Sequence, residues 1–211
     1  MSNQQPSATT LPPSGRRERK RLQTLDHIAD TAWAMFESQT YDSVTMEAIA
    51  EAADVSKGTL YKYFPVKEAL LRHCFHRELK AAMPDILAEL YRLPGFESRL
   101  RYFLSRNADW SVGRRGYLGP YFLFRLQEQQ IPHNAPPEHR SGLDRLFVTL
   151  IDAAQQSGEI TSGLPACHLA HHLEFLFLSA ILRWLNVPGA DLHQEFNLIV
   201  DLFLRGVGDG K

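Results

Sequence analysis

Apolar residues recur along this chain at spacings of three and four, and no stretch shows the strict alternation that a half-buried strand requires. Leu25, Ile28, Ala29, Ala32 and Phe36 form one stripe, which predicts a first helix running through about Gln39 and supporting the elements after it. Ile49, Ala52, Val55, Leu60 and Phe64 continue the pattern. Two short helices can bury these five together if a tight turn intervenes at Ala53 to Val55. Pro65 stops the second, and Leu70, Leu71, Cys74 and Phe75 open a further helix from Lys67. Pro84 is expected to break or kink that helix, leaving 83–93 as a short helix of its own. Beyond Pro94, helical patterns cover 96–110, 118–129, 137–156, 165–185 and 191–204, with Gly or Pro between them. The expectation is an all-α protein of about nine helices, with a tail over 1–15, a three-helix unit over 16–66 and a larger helical domain over 67–211.

The last two patterns, E-F-L-F-L-S-A-I-L-R-W-L and F-N-L-I-V-D-L-F-L, are apolar around most of the helix circumference. Such helices need cover on two sides, one supplied by the protein's own core and the other most simply by a second copy of the chain. A homodimer through the last two helices is therefore expected.

The turn between the two short helices carries the chemistry. Ser56 can cap the free amides of the second helix, and once Leu60 and Phe64 face inward, Lys57, Thr59, Tyr61 and Lys62 are left outside. No acid lies between Val55 and Lys67, and Gly58 permits close approach. A helix face of cations, hydroxyls and a phenol suits a DNA major groove and its flanking phosphates. The run R-R-E-R-K-R at 16–21, led by Arg16 and Arg17, places five cations and one acid just ahead of this unit, which favours an arm or helix start against phosphates over a merely solvated helix end.

The string A-I-A-E-A-A-D-V-S-K-G-T-L-Y-K-Y-F-P-V-K-E-A-L-L resembles the DNA-binding signature of the TetR/AcrR family of bacterial transcriptional regulators, from about Ile28 to Leu71. The resemblance implies that Thr45, Ser56, Lys57, Gly58, Thr59, Tyr61, Tyr63 and Lys67 touch DNA, and that helix 4 transmits a ligand signal by tilting. It also implies a dimer through the last two helices and, as the family's usual mode, repression. Asp54 stands where the family's turn commonly has glycine, Thr40 where a glycine often ends helix 1, and Tyr63 where histidine is frequent. Asp tolerates the left-handed conformation, at a cost below about 1 kcal/mol, whereas β-branched Thr40 tolerates it poorly, so the end of helix 1 is expected to differ locally.

Composition narrows the picture further. With 211 residues, 44% of them hydrophobic, and a formal net charge of -1, the chain can bury one sizeable core, and affinity for nucleic acid must come from local arrangement instead of bulk charge. The first fifteen residues are rich in Gln, Pro, Ser and Thr and are expected to be disordered. Cys74 and Cys167 are far apart, which gives no disulfide framework and fits a reducing cytoplasm. No apolar run approaches the ~20 residues of a membrane span, so a soluble cytoplasmic protein is expected. Both cysteines sit in apolar helical patterns and are expected to be buried.

Aromatic residues are frequent between Tyr102 and Trp184, and most belong to the core. As a set they favour a largely apolar effector. Trp110, Tyr117, Tyr121 and Phe175 are selected as its lining, because Tyr and Trp bury a ring while offering one polar contact. The run C-H-L-A-H-H at 167–172 and the pair His73 and His76 place metal-type ligands one helical turn apart, but neither brings four ligands together, so no metal site and no cofactor is expected. No G-x-S-x-G, P-loop, H-E-x-x-H or dinucleotide fingerprint occurs, and an enzyme is not expected. The sequence thus points to a dimeric DNA-binding regulator, a repressor released from a pseudo-palindromic operator by a small, largely apolar effector. The alternative is a helix-turn-helix protein without a small-molecule ligand, controlled by a protein partner or constitutive.

Overall fold

The computed structural model describes residues 15–128 and 142–207. The tail expected over the first residues and the helix start expected at Pro137 therefore lie outside the described residues. Those described contain nine α-helices and no strand: α1 (Arg16–Ser38), α2 (Met46–Ala52), α3 (Lys57–Tyr63), α4 (Lys67–Arg92), α5 (Gly95–Val112), α6 (Arg115–Glu128), α7 (Leu143–Ser157), α8 (Ala166–Asn186) and α9 (Leu192–Val207). They divide into two compact units, one ending at Pro65 and one beginning at Val66. Among the described residues, no helix is long and apolar enough to cross a membrane.

In the first unit the predicted stripe of α1 is buried in full, from Leu25 through Phe36. It packs on α2, which packs on α3. A 3-10 turn, Tyr41–Ser43, folds back so that the Tyr41 ring lies 5.1 Å from that of Phe36. One position of the second stripe differs from expectation. Ala53 is buried while Ala52 is exposed, because α2 ends at Ala52 and the turn swings the next residue inward. The end of α1 also departs from a left-handed glycine stop. Gln39 and Thr40 are both extended, a backbone that suits a β-branched residue, so Thr40 is accommodated without strain.

The second unit holds α4 to α9. Here α7 packs on α8, α8 on α9, α5 on both α7 and α9, and α4 on α5 and α6. Its buried interior is led by Leu100, Phe103, Leu104, Phe147, Leu173, Ile181 and Phe196. The separate short helix expected over 83–93 is corrected, since α4 continues through Pro84 as one helix. Proline removes the hydrogen bond to the carbonyl of Lys80, and both residues are exposed, so water can satisfy that carbonyl. Cys167 is likewise corrected. Cys74 is buried as expected, but Cys167 occupies the first turn of α8 on its exposed side.

Arg101 of α5 bridges to α9, bonding Asp201 and Asn197, while also pairing with Glu97 on its own helix. The start of α5 is fixed from the α7–α8 connection. Gly95 adopts φ +72, and the next amide, of Phe96, donates to the Glu159 carboxylate at 2.6 Å. A Cβ on Gly95 would lie 2.8 Å from Glu159 Oε2. Gly95→Ala therefore combines left-handed strain with loss of the cap and should destabilise the protein by about 2 kcal/mol in urea unfolding; unchanged stability would refute this account of the α5 start.

Candidate nucleic-acid interface and ligand cavity

Burial of Leu60 and Phe64 fixes which side of α3 faces out. Ser56 Oγ accepts the amide of Thr59 at 3.1 Å and lies 2.8 Å from the Thr59 hydroxyl, so the predicted cap is formed. Thr45 does the same for α2, accepting from the Ala48 amide at 3.1 Å. The turn between them is closed by Asp54 at φ +51, with the Val55 amide bonded to the Ala50 carbonyl. His27 Nε2 lies 3.1 Å from the Ala53 carbonyl and ties α1 to that turn.

On the outward side Lys57, Gly58, Tyr61 and Lys62 are exposed, and Thr59 and Tyr63 are half-buried. The acid-free stretch does not stand alone. Glu47 of α2 reaches across, accepting the Tyr61 hydroxyl at 3.2 Å and standing 3.8 Å from Lys57 Nζ. Partial desolvation, and then the Glu47 charge, hold the Tyr61 phenol above its ordinary range, so it remains a protonated donor. Beside Lys62 and Tyr63 a groove of about 470 Å³ runs to the start of α1, lined there by Lys20, Arg21 and Thr24. The basic run of the sequence thus lands beside the end of α3. Arg21 is engaged by Glu18 at 2.8 Å. Arg16 and Arg17 stand in the first turn of α1, and their side chains lie outside what is described. Lys67 is the first residue of α4, in the second unit.

The second unit encloses a cavity of about 270 Å³, walled by α4, α5 and α6 with Leu143 of α7 and Phe177 of α8. Most of the wall is apolar, including Phe75, Leu79, Ile86, Phe103 and Phe122. The polar groups are organised. Trp110 Nε1 donates to Glu78 at 2.7 Å, Arg114 pairs with the same carboxylate at 3.1 Å and covers the Trp110 ring, and His76 Nε2 lies 3.3 Å from the Tyr121 hydroxyl. Of the residues selected from sequence, Trp110 and Tyr121 line this cavity. Phe175 lines a smaller neighbouring cavity of about 90 Å³, and Tyr117 lines neither.

The small cavity shares Tyr121, Phe122, Leu143 and Phe177 with the larger one and is lined also by Glu174. Burial pushes the Glu174 carboxyl up to about 7, with the Asp144 charge adding and Arg125 partly offsetting. Sequence reading passed over Glu174. The available signal was an acid set inside the apolar run L-E-F-L-F-L of α8. Among the described residues, no cluster of three or more His, Cys, Asp or Glu side chains could hold a metal ion.

Comparison with known proteins agrees with this geometry. Residues 28–74 match the family model for bacterial regulatory proteins of the tetR family. The HTH-type transcriptional repressor KstR of Mycolicibacterium smegmatis is 26% identical over 201 residues, covering 94% of this chain and 93% of that protein. The probable acrEF/envCD operon repressor of Escherichia coli is 22% identical over 196 residues, covering 90% and 89%. Among solved structures, Thermus thermophilus FadR, a TetR-family transcriptional repressor in complex with lauroyl-CoA, shares the fold with a TM-score of 0.72 at 23% identity, over 89% of this chain and 96% of that one. RolR in complex with resorcinol superposes with a TM-score of 0.67 at 21% identity, over 90% of each chain. Residues 28–74, with their capped helix-turn-helix, thus match the tetR family of bacterial regulatory proteins, and the chain as a whole shares the fold of TetR-family regulators.

Proposed function

We propose that this protein is a dimeric transcriptional repressor whose α3 reads a pseudo-palindromic operator and whose cavity takes a small, largely apolar effector that releases it. The observation that carries the DNA reading is Gly58. Glycine inside a helix costs stability, yet its φ is not left-handed, and a Cβ there would meet only Ser56 Oγ at 3.9 Å. Nothing among the described residues requires that bareness, whereas a body approaching α3 from outside would. Lys57, Thr59, Tyr61 and Lys62 stand around Gly58 as base-edge and phosphate contacts, with Ser56, Tyr63 and Thr45 flanking and Lys67, Arg16 and Arg17 as further phosphate contacts.

The dimer reading rests on what α8 and α9 leave uncovered. Phe175 and Leu182 on α8, and Leu198 and Leu202 on α9, the last two each 52% exposed, fall at helical spacings on their outward sides. A second copy related by a two-fold axis would cover them and set two α3 helices to half-sites about one DNA turn apart. The effector reading rests on the cavity, which favours it over constitutive binding. Proteins of the same fold are bound to lauroyl-CoA in one case and resorcinol in another, an acyl chain and an aromatic ring. Helix α4 supplies one cavity wall and follows α3 after residues 64–66, so a ligand that favours one placement of α4 shifts the equilibrium by its differential affinity.

Three substitutions test the interface on an operator recovered by selection from genomic fragments. Lys57→Ala should weaken binding about tenfold and reduce the salt slope by about one, with the dimer intact; full affinity at moderate salt would remove α3 from the interface. Gly58→Ala should raise thermal stability, by about 0.5 kcal/mol, while weakening operator binding, and a variant that gained both would sink the close-approach argument. Glu47→Gln frees Tyr61 and Lys57 and removes a charge facing phosphates, so its operator affinity should rise a few-fold at low salt, as gel shift or fluorescence anisotropy would read.

A further inference from the structure

The effector's chemistry can be narrowed, on the basis of the cavity reading just given, from Glu174, which lines the smaller cavity beside it. Glu174 makes no hydrogen bond and no ion pair among the described residues, although it is half-buried in the lining of the smaller cavity. Several other carboxylates of this unit are matched: Glu78 by Trp110 and Arg114, Glu159 by the Phe96 amide, Asp201 by Arg101 and Glu195 by Arg183. A half-buried carboxyl that no donor meets costs stability, and a fold that only needed to fill this volume would place an apolar side chain there.

The surroundings specify what would repay that cost. Tyr121, Phe122, Phe175 and Phe177 line the same cavity, with the Tyr121 and Phe122 rings 4.9 Å apart and those of Phe122 and Phe177 6.3 Å apart. Aromatic faces beside an acid make the environment in which organic ammonium groups bind, through the ring quadrupole and a charge-assisted hydrogen bond. The charged groups facing Glu174 are Asp144 of α7 and Arg125 of α6, and His171 stands one turn back on α8 against the Phe175 ring.

We propose that the effector is an apolar amine, its hydrophobic body in the larger cavity and its ammonium group directed past Phe122 and Phe177 to Glu174. The recognition requires the ionised carboxylate. Because Glu174 sits near 7, the ammonium must bind more tightly as pH rises through neutrality, and its binding must release protons near that pH.

The test is calorimetric titration of the full-length protein with three probes of matched shape, naphthylmethylammonium, naphthylmethanol and naphthoate. Around pH 8 the ammonium should bind about tenfold more tightly than the alcohol, and naphthoate least well. The advantage should shrink toward pH 6, and proton release should show as a dependence on the ionisation enthalpy of the buffer. Glu174→Gln should abolish the advantage of the ammonium while leaving the alcohol within about twofold of its original affinity. Equal affinity of ammonium and alcohol at pH 8, or an advantage that survives in Glu174→Gln, overturns the amine proposal and leaves the effector cavity standing. Failure of all three probes to bind overturns both. The pH profile of the unaltered protein decides the matter should the variant not fold.

Discussion

A helix of seven residues cannot hold itself together in water, and α3 has only seven. It exists because Leu60 and Phe64 are buried in the first unit and because Ser56 and Thr45 close the helix starts. That dependence divides the labour on α3. The inward side is committed to the core, so the outward side has no folding duty and can carry groups that folding would not choose. Gly58 is the clearest case, and the exposed Tyr61 phenol is another. Glu47 then acts as a local counter-charge, holding Tyr61 and Lys57 to α2 when no polyanion is present. Their release would add a small, salt-sensitive cost to DNA binding, of the size expected for exposed pairs.

The second unit works by the opposite economy. Its helices are long enough to pack widely, yet they enclose about 270 Å³ beside Phe75, Phe103 and Phe122 instead of filling it. An apolar void forfeits dispersion contacts, and filling it with a ligand restores them, so the free protein is less stable than the same helices closed over a guest. A ligand seated among α4, α5 and α6 would stabilise one arrangement of those helices over others, and this deficit is what the proposed coupling would draw on. Since α4 carries Phe75, His76 and Leu79 into the wall, it is the element whose placement a guest would bias most directly.

What the sequence made legible follows from how local each feature is. The stripe of α1, the cap at Ser56 and the left-handed turn at Asp54 are fixed by residues within a few positions of one another, and all are found, while the matching cap at Thr45 was equally local and went unread. A helix end at Pro84 does not occur, because helix propensity treats proline as a stop whereas an exposed carbonyl four residues back can be left to water. Cys167 was misread because its neighbours are apolar on a helix only one side of which is buried. The cavity was legible only as a surplus of aromatic residues. Which of them face a void depends on where α7 and α8 pass α5 and α6, and that is long-range packing that periodicity does not encode. Trp110 and Tyr121 reach the cavity, while Tyr117, of the same chemistry and on the same helix as Tyr121, does not.

The same reasoning explains why Glu174 escaped notice and why it matters. In sequence it is one acid among leucines and phenylalanines, indistinguishable from a residue on the wet side of an amphipathic helix. Its position in the fold changes its meaning. Burial moves its proton affinity toward neutrality, the nearby Asp144 strengthens the shift, and Arg125 only partly cancels it. A carboxyl so placed is least costly when protonated or when met by a cation, and a bound ammonium exchanges the first condition for the second. The energetic penalty in the free protein and the selectivity for a positively charged guest therefore have a single origin, desolvation of one carboxyl by aromatic walls.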